Sequence, residues 1–251
     1  MTNEKKLTGK VALVTGGSRG LGRETARALA DEGADIAISY VASADKAEAV
    51  VRELQAKGVR AAAFQSDQGE PGRPAALVDA VVAHFGRLDI LVNNAALSIP
   101  SRIDAPDGDV AALDRLWAVN ALGVVATIRA AVKVLGKGGR IITIGSGVAR
   151  RAGYPGVADY AGTKGAIVAY SKGAARDLAP REITVNVVHA GLMDTDMAIP
   201  YRGMFDELVS GLSIQRVARL EEVTAAIVFL ASPDASYITG AALDVDGGAA
   251  A

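Results

Sequence analysis

Residues 10–22 read KVALVTGGSRGLG. After Lys10 the first half is a short apolar run, the pattern of a strand buried on both faces. It stops at glycine, and the segment that follows, GRETARALADEGAD at 22–35, has the apolar spacing of a helix closed by Gly33. Between the two, Gly16, Gly20 and Gly22 allow a tight turn and a close approach of backbone to a ligand. A pyrophosphate held at such a turn sits at the N-terminus of the helix, where unpaired N–H groups point outward. The spacing is G-x-x-x-G-x-G and not G-x-G-x-x-G, and glycine also ends strands that bind nothing. Its place, joining a first strand to a first helix, favours dinucleotide binding.

The same alternation continues along the chain. DIAISY (35–40), RAAAFQSD (60–67), LDILVNNA (88–95), GRIITIGS (139–146), ITVNVVHAG (183–191) and AALDVDGG (241–248) read as strands. Helical patterns fall between them at 44–57, 75–85, 110–135, 160–178 and 221–231, with Pro180 as a stop signal past the fourth. Strict alternation with apolar strands implies an α/β fold: a doubly wound parallel sheet of about seven strands flanked by helices, with sites at the carboxyl ends of the strands. No linker or repeat divides the chain, so residues 1–251 are expected to form a single domain. The stretch 191–214 is long and poorly periodic, and reads as a lid or an irregular connection.

Composition removes several function classes. Half of the 251 residues are hydrophobic and 22% are charged, enough for a sizeable core. The formal net charge of -1 argues against nucleic acid or a membrane surface as partner. There is no cysteine, which excludes disulfides, thiolate nucleophiles and cysteine-held metal, and with only His84 and His189 no histidine-rich metal centre is expected. The N-terminal MTNEKKLTGK has no apolar centre of a secretory signal, and no apolar run reads as long enough to span a membrane. A cytoplasmic location is the expectation.

ADYAGTKG at 158–165 sets a phenol, Tyr160, four residues before an amine, Lys164. On a helix the two side chains share a face. Their ordinary pKa values, near ~10 and ~10.4, suit neither for proton transfer at neutral pH. A neighbouring ammonium favours the phenolate and is expected to draw the Tyr160 pKa down, making it a general acid or base. Such pairs are also common as plain packing and solvated charge, so the remaining motifs decide.

Taken together, TGGSRGLG, NNA at 93–95, YAGTK and ITGAALDVDGG resemble the short-chain dehydrogenase/reductase family, single-domain Rossmann enzymes that use NAD or NADP. The resemblance spans nearly the whole chain. It implies that Ser146 holds a substrate carbonyl, Tyr160 donates the proton, Lys164 lowers the Tyr160 pKa and binds the nicotinamide ribose, and Asn120 anchors a water feeding the proton relay. It further implies cofactor contacts at Gly16, Ser18, Arg19, Gly20, Leu21 and Gly22 of the turn, and at Tyr40, Ala42 and Ser43 after the second strand. Asp67 is similar to the family's contact to the adenine amine, with Gln68 beside it. Asn94, Ala95 and Ala96 follow the fourth strand, and Gly191, Met193 and Thr195 the sixth. Preorganised donors aimed at a developing oxyanion are the physical reason for a serine and a phenol in such a site. Taken alone, Ser146 between two glycines also reads as a turn residue, and Asn120 as an amide bonded to its own backbone.

The second strand ends in Tyr40, where an acidic residue would hydrogen-bond the ribose of NAD. Arg19 lies within the glycine turn, where a guanidinium can face a 2′-phosphate. NADP(H) is therefore the expected cofactor. Three departures from the family pattern bear on affinity and pocket shape: Ala96 stands for a glycine, Ala190 for a proline, and the Ser146-to-Tyr160 interval is one residue longer than usual. Arg150 and Arg151 in that interval read either as contacts to an anionic substrate or as a solvated pair. The expected activity is hydride transfer between NADP(H) and a ketone or secondary alcohol, of 3-oxoacyl-(acyl carrier protein) reductase type by resemblance. The alternative is a nucleotide-binding regulator on the same fold, which would not need the Tyr160–Lys164 pair. Apolar residues around much of segments 113–135 and 160–178 imply a second buried face and a homotetramer, with a dimer as fallback.

Overall fold

A computed structural model describes residues 5–105 and 108–251, so the first four residues of the charged N-terminal stretch lie outside it. The strand quoted above is β1 (Val11–Val14), flanked in parallel by β2 (Asp35–Tyr40) and β4 (Ile90–Asn93). Val14 pairs with Ile38 on one side and Val92 on the other. With β3 (Ala61–Gln65), β5 (Arg140–Ser146), β6 (Thr184–Ala190) and β7 (Ala242–Val245) the sheet has seven strands in the order β3-β2-β1-β4-β5-β6-β7. The order reverses between β1 and β4, which opens a crevice at the carboxyl ends of the strands.

Helices cover both faces, and alternate strand residues divide between them. Ala12, Val14, Ile36 and Ile38 pack with α1 (Gly20–Asp31), α2 (Ala44–Gln55) and α8 (Leu220–Ala231). Val11, Leu13, Leu91 and Val185 pack with α3 (Arg73–Phe85), α4 (Val110–Trp117), α5 (Val124–Ala131) and α6 (Ala158–Leu178). Burial on both sides is why these strands read as unbroken apolar runs rather than as alternating ones. Each fully buried Leu or Ile contributes ~1.5–3 kcal/mol relative to exposure.

The helical pattern at 110–135 departs from a plain α-helix. A π-helical turn, Ala118–Gly123, separates α4 from α5, and α5 stops at Ala131, short of Leu135. The cause is tertiary. A β-carbon at Gly123 would lie 2.4 Å from the Gln68 carbonyl oxygen, so the helix presses on the loop after β3 at this point. Together Val110–Ala131 are, among the described residues, long and apolar enough to cross a membrane by length and composition, which corrects the reading that no run reaches that length. Leu116, Val124, Ile128 and Ala131 on this stretch are buried in the protein's own core, which accounts for the apolarity.

The irregular stretch after β6 is locally ordered. It forms a 3₁₀ run, Asp196–Met204, and a short helix α7 (Phe205–Ser210), and it is tied back by a parallel bridge between Met193 and Ala218.

Candidate active site

The glycine turn is shaped by what it touches. Gly16 and Gly20 have φ of +67° and +52°, a region L side chains rarely adopt. A β-carbon at Gly16 would meet the Ala95 backbone at 3.0 Å, and one at Gly22 would lie 2.3 Å from the Gly16 oxygen and 2.5 Å from Asn94 Nδ2. The turn is thus pressed against the loop after β4. Asn94 Nδ2 donates to the Thr15 and Gly16 carbonyls at 2.8 and 3.3 Å, while Thr15 Oγ1 accepts from the Asn94 and Ala95 amides at 3.0 Å each. Ser39 Oγ accepts from the Gly16 amide at 3.2 Å. Thr15 and Ser39 were not legible as site residues, because a buried hydroxyl in a strand gives no periodic signal. Leu21 is buried in the core, so its side chain packs and only its backbone faces the turn.

Arg19, the residue before α1, points its guanidinium at Asp196 of the long connection, Nη1 to Oδ2 3.1 Å. Beside it the Thr195 side chain lies against Gly20. On the other side of the crevice Tyr40 packs on the core at the end of β2, and Ala42 and Ser43 lead into α2. Asp67 forms an ion pair with Arg115 and accepts from the Gly69 amide at 3.0 Å. The Arg115 hydrogen bond holds the Asp67 carboxyl below the usual carboxylate range. Gln68 is buried and its Nε2 donates to the Ala95 and Val119 carbonyls, both at 2.9 Å, so it straps the loop after β4 to the π turn.

Ser146 ends β5, and Tyr160 and Lys164 sit in the first turns of α6. The Ser146 hydroxyl interacts with the Tyr160 phenol and favours its ionised form. Lys164 is 3% exposed, and its Nζ donates to the Ile144 carbonyl at 2.8 Å and lies 5.7 Å from the Tyr160 ring centre. Burial pushes the Lys164 ammonium down to about 8. The expectation for Tyr160 is corrected here. Desolvation pushes its phenol up, outweighing Ser146, with Tyr154 and Tyr201 adding to the rise. Lys164 does not lower it, because its charge is turned toward the Ile144 carbonyl. Tyr160 in this geometry is a protonated donor throughout the neutral range.

The π turn places Asn120 opposite. Its side chain is engaged within the protein: Oδ1 accepts from the Leu97 amide at 2.8 Å, and Nδ2 donates to the Leu97 carbonyl at 2.9 Å and to Thr163 Oγ1 at 3.3 Å. It bonds neither its own backbone nor a free position. Trp117, just before the π turn, donates from Nε1 to Asp159 at 2.8 Å and lies against Gly162, which fixes the start of α6.

Two aromatic residues the sequence reading missed lie near the Tyr160 phenol. Tyr154 and Tyr201 approach edge to face with centroids 6.3 Å apart, and the Tyr201 hydroxyl is 2.8 Å from Ser98 Oγ. Tyr201 lies in the irregular connection and Tyr154 in a loop, where spacing carries no information. Gly191 is required by contact: a β-carbon there would lie 2.6 Å from Asp246 Cα. Met193 makes the bridge to Ala218 and packs on the core. Arg150 is not free to meet a substrate, since it pairs with Asp244 of β7, whereas Arg151 is exposed. Among the described residues no His, Cys, Asp or Glu cluster suits a metal ion.

The profile of the family described as Enoyl-(Acyl carrier protein) reductase matches residues 16–250. A 3-oxoacyl-[acyl-carrier-protein] reductase of Staphylococcus aureus is 38% identical, over 95% of this chain and 97% of its own. Versicolorin reductase 1 of Aspergillus parasiticus is 38% identical over 99% of both chains. The crystal structure of a short chain dehydrogenase from Burkholderia cenocepacia in complex with NADP superposes with a TM-score of 0.95 at 43% identity, covering 98% of this chain and 100% of that one. The turn, the NNA loop and the Ser146, Tyr160 and Lys164 positions lie within these matches, and the chain belongs to the short-chain dehydrogenase/reductase family.

Proposed function

We propose that the protein is an NADP(H)-dependent oxidoreductase that reduces a ketone to a secondary alcohol. The observation that carries this reading is the meeting of Ser146, Tyr160 and Lys164 at the carboxyl end of β5, beside the glycine turn. The turn fits a dinucleotide. Two of its glycines have positive φ, α1 presents its N-terminal amides there, and no carboxylate ends β2. Arg19 and Tyr40 are suited to a 2′-phosphate, and the NADP bound by the Burkholderia relative supports the choice. When bound, the reduced nicotinamide supplies the hydride.

The chain's own residues handle the oxygen. As hydride reaches the carbonyl carbon, negative charge gathers on oxygen, and the Ser146 and Tyr160 hydroxyls donate to it. Tyr160, held protonated by its surroundings, then delivers its proton and leaves an alcohol. Lys164, hydrogen-bonded to the Ile144 carbonyl, lies 5.7 Å from the Tyr160 ring centre and flanks the phenol that gives up the proton. Tyr154 and Tyr201, near the Tyr160 phenol and in contact with each other, would restrict which ketones reach it.

A regulator without turnover is disfavoured by the intact trio. A 3-oxoacyl thioester is one substrate to test, given the Staphylococcus relative's name. The decisive assay is loss of reduced-nicotinamide absorbance with purified protein, NADPH or NADH, and a panel of ketones including 3-oxoacyl thioesters. Turnover with NADPH supports the reading, and none with any ketone removes it. We also infer a homotetramer in the cytoplasm. Leu122 on the π turn, Phe229 on α8, Tyr237, and Leu243 on the edge strand β7 are large and exposed, 66%, 42%, 101% and 40% respectively, and a second copy would cover them. Light scattering that returns the 25.6 kDa of one chain would contradict the assembly.

A further inference from the structure

The loop after β3 lies beside the end of β2. The Ser66 amide donates to the Tyr40 carbonyl at 2.8 Å, and Gln65 Nε2 to the Val41 carbonyl at 2.8 Å. Asp67, the next residue, therefore stands on the same side of the crevice as Tyr40. Its carboxylate is held twice within the protein: Oδ1 accepts from the Gly69 amide at 3.0 Å, and Oδ2 pairs with Arg115 of α4. The side chain is still 18% exposed, and each oxygen keeps a lone pair for a donor from outside. Asp67 is fixed in place yet open to a further hydrogen bond.

The loop is interlocked with the segment that runs from Arg115 through the π turn. A β-carbon at Gly69 would lie 2.3 Å from Arg115 Nη1 and 2.8 Å from Val119 Cγ2, so the guanidinium lies over the bare backbone of Gly69. Gln68 Nε2 donates to the Val119 carbonyl at 2.9 Å, and Gly123 presses on the Gln68 carbonyl. The same segment grips the catalytic helix. Trp117, two residues and ~3 Å along the helix axis from Arg115, donates to Asp159 Oδ1 at 2.8 Å. Its indole lies where a β-carbon at Gly162 would meet it at 3.0 Å. Asn120 Nδ2 donates to Thr163 Oγ1 at 3.3 Å, and that hydroxyl donates to the Tyr160 carbonyl at 2.8 Å. Asp159, Gly162 and Thr163 surround Tyr160 in the chain. From Asp67 to the Tyr160 backbone, every link is an ion pair, a hydrogen bond, a packing contact or the helix itself.

We propose that Arg115 is a positioning residue that links adenine recognition at Asp67 to the start of α6, so that seating the adenine sets the placement of Tyr160. This rests on the proposed NADP(H) site, with Asp67 accepting from the adenine amine. Amine and guanidinium then share one carboxylate, so filling the first position fixes the second. Arg115 passes that constraint along α4 to Trp117 and Asn120, and these hold the residues around Tyr160. Binding energy from a remote, unreacting part of a ligand is spent in this way on alignment of the reacting groups, and it raises kcat.

The test uses the chain's single tryptophan, Trp117, whose emission reports its contact with α6. Adenosine 2′,5′-bisphosphate, the adenine half of the cofactor alone, is titrated into wild type, Arg115→Leu, Arg115→Lys and Asp67→Ala, with calorimetry to establish saturation. It is expected to shift the emission of wild type and to leave that of saturated Arg115→Leu unshifted. Arg115→Lys, which restores the charge, should recover part of the shift. Ketone reduction is then measured at saturation with NADPH and with reduced nicotinamide mononucleotide, which lacks the adenine half. In Arg115→Leu kcat with NADPH should fall ~10-fold, part of the ~10²-fold that a ~1 Å misplacement costs. Its kcat with the mononucleotide should stay within about 2-fold of wild type. An equal loss with both cofactors marks a merely structural residue and overturns the inference. So does an Arg115→Leu protein that keeps the wild-type shift and the wild-type ratio between cofactors. If Arg115→Leu does not fold, a saturated Asp67→Ala with the wild-type shift overturns it. A wild type that binds neither the bisphosphate nor NADPH removes the proposed cofactor site, whereas turnover with NADPH beside an unshifted Trp117 removes the coupling alone.

Discussion

Arg19 Nη1 and Asp196 Oδ2 meet at 3.1 Å, which joins the glycine turn to the start of the long connection after β6. Both side chains are more than half exposed, 62% and 55%, so the pair contributes at most ~1 kcal/mol and is free to exchange. The Arg19 guanidinium thus has two acceptors open to it: the Asp196 carboxylate and, under the proposed function, a 2′-phosphate. Thr195 of the same segment rests on Gly20.

Cofactor preference follows from that competition. Asp196→Asn is expected to tighten NADPH by up to ~5-fold, the equivalent of the ~1 kcal/mol pair, and to leave NADH unchanged. Arg19→Ala should weaken NADPH by ~10-fold or more, as expected for a lost charge-assisted hydrogen bond. Adding a carboxylate with Tyr40→Asp should then favour NADH. Fluorescence titration with both nucleotides checks each step, and an Asp196→Asn that affects the two equally would refute the competition.

Tyr160→Phe keeps the ring and removes the hydroxyl. Loss of a general acid is expected to cost ~10²–10⁴-fold in kcat. NADPH affinity should change little, because the phenol acts on the substrate oxygen. Single-turnover kinetics and nucleotide titration separate the two, and near wild-type turnover would remove Tyr160 from the chemistry.

Lys164 fixes an alkaline limit. Its ammonium, pushed down to about 8 by burial, is lost as pH rises through that value. Reduction should be flat below about 8 and fall above it in kcat/KM for NADPH, which reports the free enzyme. Stability has the opposite sign. Below about 8 both folded and unfolded chains carry the charge, and the folded state bears the cost of burying it. Between about 8 and 10.5 the unfolded chain holds more protons, so this group makes stability rise with pH, by about 3 kcal/mol in all. Urea midpoints of wild type and Lys164→Met at neutral pH and near pH ~9.5 test it. A difference between them that does not change with pH would contradict the shift.

The parts of the fold read correctly from sequence are those fixed by burial alone. β1, β2 and β5 are apolar because both faces are covered, and that requirement shows in the residues themselves. The π turn at Ala118–Gly123 was not legible, since it is set by Gly123 against the Gln68 carbonyl and by Asn120 on Leu97, contacts between distant segments. Tyr160 and Lys164 were found from their spacing, but their electrostatics were misjudged. Spacing places two groups on one face and does not reveal that Ile144 takes the ammonium or that burial dominates the phenol. Tyr201 and Ser98 stayed hidden because they lie on stretches without period, brought together only by the path of the connection.

Asn120 ties the two halves of the site together, and its loss should be felt first in stability. Its amide pairs with both the N–H and the C=O of Leu97, at 2.8 and 2.9 Å, in a position 1% exposed. Asn120→Ala leaves both Leu97 groups without that partner, at ~1–3 kcal/mol each. For a chain of this size such a loss lowers Tm by on the order of 5–15 °C. Asn120→Asp should do no better, since a carboxylate can accept from the Leu97 amide but repels its carbonyl. The π turn would then lose one of its contacts to the loop after β4, with Gln68 still bonding the Ala95 and Val119 carbonyls. Activity should fall with it, yet far less than in Tyr160→Phe when assayed well below Tm, because the amide is a strap and not a proton donor. Thermal melts paired with kcat across temperature check this. An Asn120→Ala protein that melts like wild type but has lost turnover would instead assign the residue to the chemistry.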